Sequence, residues 1–284
     1  MIRTANRMRR DFLYRKNVES REKSKIEQKQ RIKEALESST ALPGQYREGA
    51  EDMLHEMQNE DELTEKMDMD DEYSNATERD PSIMITTCRN PSSRLMKFAK
   101  ELRLIFPNAE RMNRGNIIVP ELVDIARRYD VTDLIVCHEH QGVPDGLIIS
   151  HMPYGPTAYF ALENTILRHD LEDVEKLSEA YPKLIFEGFS TELGARVTNI
   201  LKYLFPVPKP LSKRLMVFNN TEDYISFRHF IYKNEENEVT VAEQGPRFEM
   251  KPYKIILGTM DMAEAEVEWA LRPYMNSAVN KRHL

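Results

Sequence analysis

From about residue 81 onward the apolar residues fall into short blocks and helical rows; before that point they are too sparse to cover a core. The β-branched block Ser82-Ile83-Met84-Ile85-Thr86-Thr87 predicts a strand. Asn90-Pro91 then supplies a helix cap and a first-turn proline, and Leu95, Phe98, Leu102, Ile105 and Phe106 follow at helical spacing until Pro107. Next come a short strand near Arg111, a turn at Arg114-Gly115-Asn116, and a helix from Pro120 with Leu122, Ile125, Ala126 and Tyr129 on one face. Residues 133–138 read as a buried strand, and 147–151 with 158–162 as a hairpin around Tyr154-Gly155-Pro156. Strands alternating with helices and then a hairpin predict a mixed α/β sheet.

The second half repeats the first. Residues 184–186 form a strand, and 191–205 a helix bearing Val197, Leu201, Leu204 and Phe205 before Pro206. A shift of 99 positions superimposes Phe98 on Val197, Leu102 on Leu201, Arg103 on Lys202, Ile105 on Leu204, Phe106 on Phe205 and Pro107 on Pro206. Gly155-Pro156 and Gly245-Pro246 each precede an alternating strand. The pattern predicts an internal duplication within a folded region of 81–260, its halves about 81–175 and 182–258. Asp261 with Glu264 resembles a capping box and predicts a C-terminal helix within 261–284, carrying Val267, Ala270 and Leu271.

Charge divides what lies upstream. The 284 residues carry 40 Lys+Arg against 47 Asp+Glu, a net of −7, which by itself argues against a nucleic-acid partner. By region, however, residues 1–34 carry +7, 48–80 carry −12 and the rest −2. Residues 1–40 are expected to be a basic helical arm, and 41–80 an acidic flexible linker with a short amphipathic helix around Met53-Leu54-Met57. No apolar run approaches the ~18–20 residues of a membrane helix, and the Arg-rich start lacks the apolar run of a signal peptide. The two cysteines, Cys88 and Cys137, have no zinc or disulfide spacing, and Cys137 reads as a buried thiol.

Catalytic chemistry finds no foothold. His138-Glu139-His140 could put two imidazoles on one strand face, but the spacing matches no zinc motif, and it reads as a strand-end loop. There is no phosphate-binding glycine loop and no nucleophile elbow, and Ser150-His151, adjacent on a strand, would face opposite sides. No catalytic residue, metal or cofactor is expected. Cations with rings among them are the better signal. Arg94, Lys97, Lys100 and Arg103 recur on the first helix, with Arg114 at the next turn. Arg247, Lys251 and Lys254 alternate near Phe248 and Tyr253, rings able to stack on bases. In the arm, Arg10, Phe12, Leu13, Tyr14, Arg15 and Lys16 combine charge with an apolar cluster suited to a partner.

Several stretches carry a family resemblance. They are Met1-Ile2-Arg3, Arg10–Lys16, Thr86–Leu95, Phe106-Pro107-Asn108-Ala109, Asn113–Asn116, His138–Pro144, Ser150–Ala158, Glu243–Met250 and Glu266–Trp269. Together these resemble the Brix-domain family of ribosome-assembly proteins. The resemblance implies a duplicated α/β fold related to anticodon-binding domains, and binding without catalysis. It further implies U3 snoRNA and pre-rRNA as RNA partners. Protein partners would be subunits of the U3 snoRNP and small-subunit processome, in the nucleus and nucleolus, with no membrane and no small-molecule substrate. There the chain would promote U3 pairing with pre-rRNA for early processing of small-subunit rRNA. Gln141 stands where the family pattern suggests a basic residue. The alternative is a protein–protein scaffold in a pre-ribosomal particle with incidental RNA contact.

Overall fold

The computed structural model describes scattered residues between 9 and 31, then 71–73, 76, 79–171, 180–209, 212–235, 238–272 and 284. The chain forms two units, Met1–Asp71 and Glu72–Leu284. In the first, each described residue between 9 and 31 is helical, as the charged, Pro- and Gly-free composition predicts. Leu13 and Tyr14 are exposed there. The expected helix around Met53-Leu54-Met57 lies outside the described residues, as does Arg15.

The second unit runs β1 (Ile83–Thr87), α1 (Ser93–Ile105), β2 (Ala109–Arg111), α2 (Val119–Arg128), β3 (Asp133–His140), β4 (Val143–His151) and β5 (Thr157–Ile166). It continues with β6 (Lys183–Glu187), α3 (Glu192–Lys202), β7 (Arg214–Thr221), β8 (Tyr224–Glu235), β9 (Glu238–Glu243), β10 (Arg247–Ile256) and β11 (Val267–Ala270). The strands form one sheet in the order β2-β1-β3-β4-β5-β10-β8-β7-β6, with β9 on β8 and β11 on β10. From β1 to β6 the order is a palindrome about β5/β10, with β2 an additional strand at the edge of the first half. β1 and β3 are parallel, like β6 and β7, and each pair continues into antiparallel neighbours.

The register makes the duplication explicit. Ile85 pairs with Ile135 as Leu184 pairs with Met216, and α1 and α3 start at Ser93 and Glu192, the shift carried by the apolar rows. Leu147 pairs with Phe160 as Phe227 pairs with Phe248. Leu162 therefore corresponds to Met250, and these two residues pair with each other where the halves join. A pseudo-twofold axis passes between them.

The main core lies on one face of the sheet, under α1 (Leu95, Phe98, Leu102, Ile105) and α3 (Val197, Ile200, Leu201). On the other face α2 packs Leu122, Val123 and Ala126 onto Met84, Leu134 and Val136, covering the first half only. Strand alternation sends Ile83 and Ile85 to the first face and Met84 to the second. The halves are tied by Arg214 of β7, which is 2% exposed. It donates to the carbonyls of Leu104 and Ile105, the orphan acceptors at the C-terminal end of α1.

Three expectations change. The C-terminal helix is a strand: Val267–Ala270 pairs with Lys254, Ile255 and Ile256, next to where the β10–β8 pairing has ended at Met250. Asp261 does not cap a helix; it holds Arg127 of α2, 3.1 Å away. Second, folded structure reaches upstream of Pro81, because the Tyr73 ring is 5% exposed inside the core. Third, residues 138–146 are not an open loop. They close a β3–β4 hairpin whose tip, Gln141-Gly142, has φ of 50° and 81°, the two left-handed residues a tight hairpin turn requires.

Candidate nucleic-acid interface

The C-terminal ends of the parallel strands β1 and β3 meet the start of α1, and this gathers three of the sequence motifs. Ser92 caps α1 by accepting the Leu95 N–H at 3.1 Å. Its own N–H donates to Glu139 Oε1 at 2.8 Å, and its hydroxyl donates to Glu139 Oε2. Glu139 of the His138–His140 motif is thus committed to holding the loop. Arg114 lies buried beneath, donating to the carbonyls of Ile117 (3.3 Å) and Thr87 (3.5 Å). Burial, then the neighbouring Arg114, holds the His138 imidazole below its ordinary range. Arg114 therefore braces the loop from inside, and a phosphate would not find its guanidinium on the surface. The 8% exposure that decides this follows from the turn folding back onto Thr87.

Along α1, Lys97 and Lys100 are exposed. Arg94 is exposed too, but reaches the Thr165 carbonyl at 3.3 Å and Asp170 at 3.9 Å. Arg103 donates to the Ala109 carbonyl at 3.3 Å. The ridge thus holds two lysines in solvent between two arginines already in use. It is separate from the second cluster, on β10, which faces away from α1 and α3.

On β10, Phe248 departs from the expectation. Its ring is 5% exposed, stacked on Phe227 at 4.7 Å and edge-on to Phe98 at 5.7 Å. The strand's alternation puts Phe248 and Met250 inward, so Phe248 is core and has no free face for a base. Its neighbours point outward. Arg247 pairs with Glu243 at 3.3 Å, and Glu243 also holds Arg228 at 3.6 Å. Lys251 Nζ lies 4.5 Å from the Tyr224 ring centroid, and Lys254 Nζ 5.8 Å from that of Tyr159. Tyr159 and Tyr224 were not singled out in the sequence: only the register, not composition, brings them to β10.

The start of the signature Glu243–Met250 is set from below. Gly245 has φ of 61°, and a Cβ there would meet Leu171 Cδ1 at 2.5 Å and Arg168 Cα at 3.3 Å, so glycine is required. Its carbonyl accepts from His229 Nδ1 at 3.1 Å, while His229 Nε2 accepts from Arg214 Nε at 3.0 Å. Burial and then the Arg214 charge push the His229 imidazole down to about 3, which fixes it neutral with its proton on Nδ1. Burial also brings Arg214 down to about 10. Cys137, expected as a buried thiol, is fully buried, and burial pushes its pKa far up.

A polar clamp at the start of the folded unit joins the halves. The Tyr73 ring stacks on Tyr203 of the second half (4.9 Å, 12°) and lies 4.5 Å from His151 of the first. Glu72 binds Arg196 at 2.7 Å, and Arg196 also binds Glu268 at 3.0 Å. His151 Nδ1 sits 2.8 Å from Asp133 Oδ1. Burial alone would lower the His151 pKa, but Asp133, with help from Glu72, more than offsets this and raises it. Among the arm candidates, Arg10, Leu13 and Tyr14 are exposed, while Phe12 and Lys16 are half-buried, the Lys16 ammonium 6.0 Å from the Phe12 ring.

Comparison with known proteins extends this picture. A family model described as the Brix domain matches residues 88–254. A Brix domain-containing protein of Caenorhabditis elegans is 48% identical over 286 residues, covering 100% of this chain and 97% of the relative. The U3 small nucleolar ribonucleoprotein protein IMP4 of Homo sapiens is 50% identical over 282 residues, covering 98% and 97%. Among solved structures, a probable ribosomal biogenesis protein from Aeropyrum pernix is 17% identical with a TM-score of 0.43, covering 64% of this chain and 98% of that one.

Proposed function

That this chain belongs to the Brix-domain family is the premise from which we propose its function. It is a non-enzymatic RNA-binding component of the U3 snoRNP and small-subunit processome, acting in the nucleolus. It promotes pairing of U3 snoRNA with pre-rRNA in early processing of small-subunit rRNA. The observation that carries this reading is 50% identity to a U3 small nucleolar ribonucleoprotein protein over 98% of the chain, arm and linker included.

Physical chemistry supplies a mechanism. Two structured RNAs anneal faster when their phosphate repulsion is screened and the strands are held close. A basic arm of +7 and separate lysine-bearing elements of the folded unit, α1 and β10, can each neutralise a different RNA. The linker, at −12, competes for the arm when RNA is absent.

The test is annealing of a labelled U3 5′ segment to its pre-rRNA complement with the full chain present. Acceleration that falls off with salt supports the proposal. Rates equal to those of a protein-free control, together with no enrichment of U3 snoRNA on immunopurified chain, would overturn it. The scaffold reading draws support from the arginines: Arg94, Arg114 and Arg247 already have partners within the protein. Changing Lys97, Lys100, Lys251 and Lys254 to Glu separates the two. Lost RNA crosslinking with protein partners retained favours RNA binding, and unchanged crosslinking favours the scaffold.

A further inference from the structure

The β10–β5 ladder at the pseudo-twofold axis breaks twice. In one break Pro252 pairs with Phe160 and the next pair is Lys254 with Tyr159, leaving Tyr253 as an extra residue on β10. In the other Glu249 pairs with Glu163 and the next pair is Arg247 with Ile166, leaving the extra residue on β5 at Asn164-Thr165, opposite Phe248. Because Phe160 corresponds to Phe248, the two bulges are symmetry mates, and each serves as an internal control for the other.

Their chemistry has diverged. At the β5 bulge Asn164 donates to Glu249 Oε2 at 2.7 Å beside exposed Glu163, a polar and acidic surface. At the β10 bulge the extra residue turns two consecutive side chains outward, since Pro252 and Ile255 on either side are buried. Tyr253 is 42% exposed, its ring 5.8 Å from Tyr159, on which Lys254 also rests. One step along β10 Lys251 rests on Tyr224. Neither lysine is ion-paired with a described carboxylate. The acid closest in effect is Asp145, which after burial raises the Tyr253 phenol; burial and Tyr253 raise Tyr159, so both rings are neutral and able to stack.

We propose that Tyr159, Tyr253, Lys254, Lys251 and Tyr224 form a site for single-stranded RNA. Bases stack on Tyr253 and Tyr159, and the backbone runs toward Lys254 and Lys251. A sheet surface bearing aromatic rings with cations beside them is the arrangement that takes unstacked bases without reading sequence. Rings with cations beside them favour a strand of bases and phosphates over a peptide, and Asp145, whose charge acts on Tyr253, disfavours a phosphate on its own side. This site rests on the RNA-binding reading above and names where it happens.

The test uses the full chain and a fluorescein-labelled single-stranded uridine 12-mer, followed by anisotropy. Tyr253→Ala should weaken binding roughly 5- to 150-fold, the range for losing one base–aromatic stack. Tyr253→Phe, which keeps the ring, and Asn164→Ala, at the mate bulge, should stay within about twofold. Lys254→Ala should lower the dependence of log K on log salt by about one. If the unaltered chain binds the 12-mer and Tyr253→Ala binds equally, this site is wrong while the RNA-binding reading stands. Equal losses in Tyr253→Ala and Asn164→Ala would likewise overturn the site. No binding of the 12-mer by the unaltered chain would overturn both.

Discussion

Removing the Tyr73 ring should destabilise the folded unit as severely as emptying a central core position, although Tyr73 sits in a stretch rich in acidic residues. The ring is 5% exposed, so nearly all of its area leaves water on folding. An aromatic side chain of about 150–250 Å² at ~25 cal/mol/Å² gives an upper figure of about 4–6 kcal/mol, and large-to-small core changes cost about 3–5 kcal/mol. Stacking on Tyr203 at 4.9 Å and 12° should add a coupling of about 0.5–1.5 kcal/mol beyond area. Tyr73→Ala is therefore expected to lose about 3–5 kcal/mol in urea unfolding of the full chain, and on the order of 10 °C in Tm. The double variant with Tyr203→Ala should fall short of additivity by the coupling. A loss under about 1 kcal/mol, with no coupling, would refute the conclusion that Tyr73 joins the two halves.

Other consequences follow from the buried polar groups. His151 has its folded pKa raised above the ordinary ~6.5, so its contribution to stability is complete below that value and is lost as pH rises through the raised pKa. The stability gap between the unaltered chain and His151→Gln should shrink from pH 6 to pH 8.5; a gap that is flat or widens would contradict the pairing with Asp133. His229 should show by nitrogen-15 NMR a single neutral tautomer protonated on Nδ1 from pH 5 to 8, and a titration in that window would rule out its role between Arg214 and Gly245. Ser92→Ala removes a helix cap and the hydroxyl that donates to Glu139 Oε2, leaving Glu139 only the backbone N–H of residue 92 from this pair, and should cost about 1–2 kcal/mol in chemical denaturation; a change under about 0.3 kcal/mol would mean the loop is held otherwise.

What the sequence made legible followed from periodicity and local chemistry. The apolar rows at Leu95–Ile105 and Val197–Phe205 placed α1 and α3, and their common shift announced the duplicated sheet before any register was visible. The β7 and β8 strands were not located, because Arg214, Arg228 and His229 interrupt their apolar pattern, and only tertiary contacts show that Arg214 and His229 are satisfied inside. The C-terminal segment was misread because a capping-box spacing at Asp261 and Glu264 carries no information about the open edge of β10 that Val267–Ala270 fills. For the proposed interface, charge and ring content pointed to the segment that forms β10 but not to which of its side chains face outward. Phe248 and Arg114 point inward, since strand parity and loop packing decide exposure, and neither is readable from residue type.

Residue-level RNA crosslinking of the assembled particle tests the central claim most directly. U3 or pre-rRNA nucleotides should be attached to the α1 lysines, Lys97 and Lys100, and to Tyr253 or its neighbours on β10. A particle in which those faces crosslink only to protein, with RNA attached nowhere on the folded unit, would contradict it.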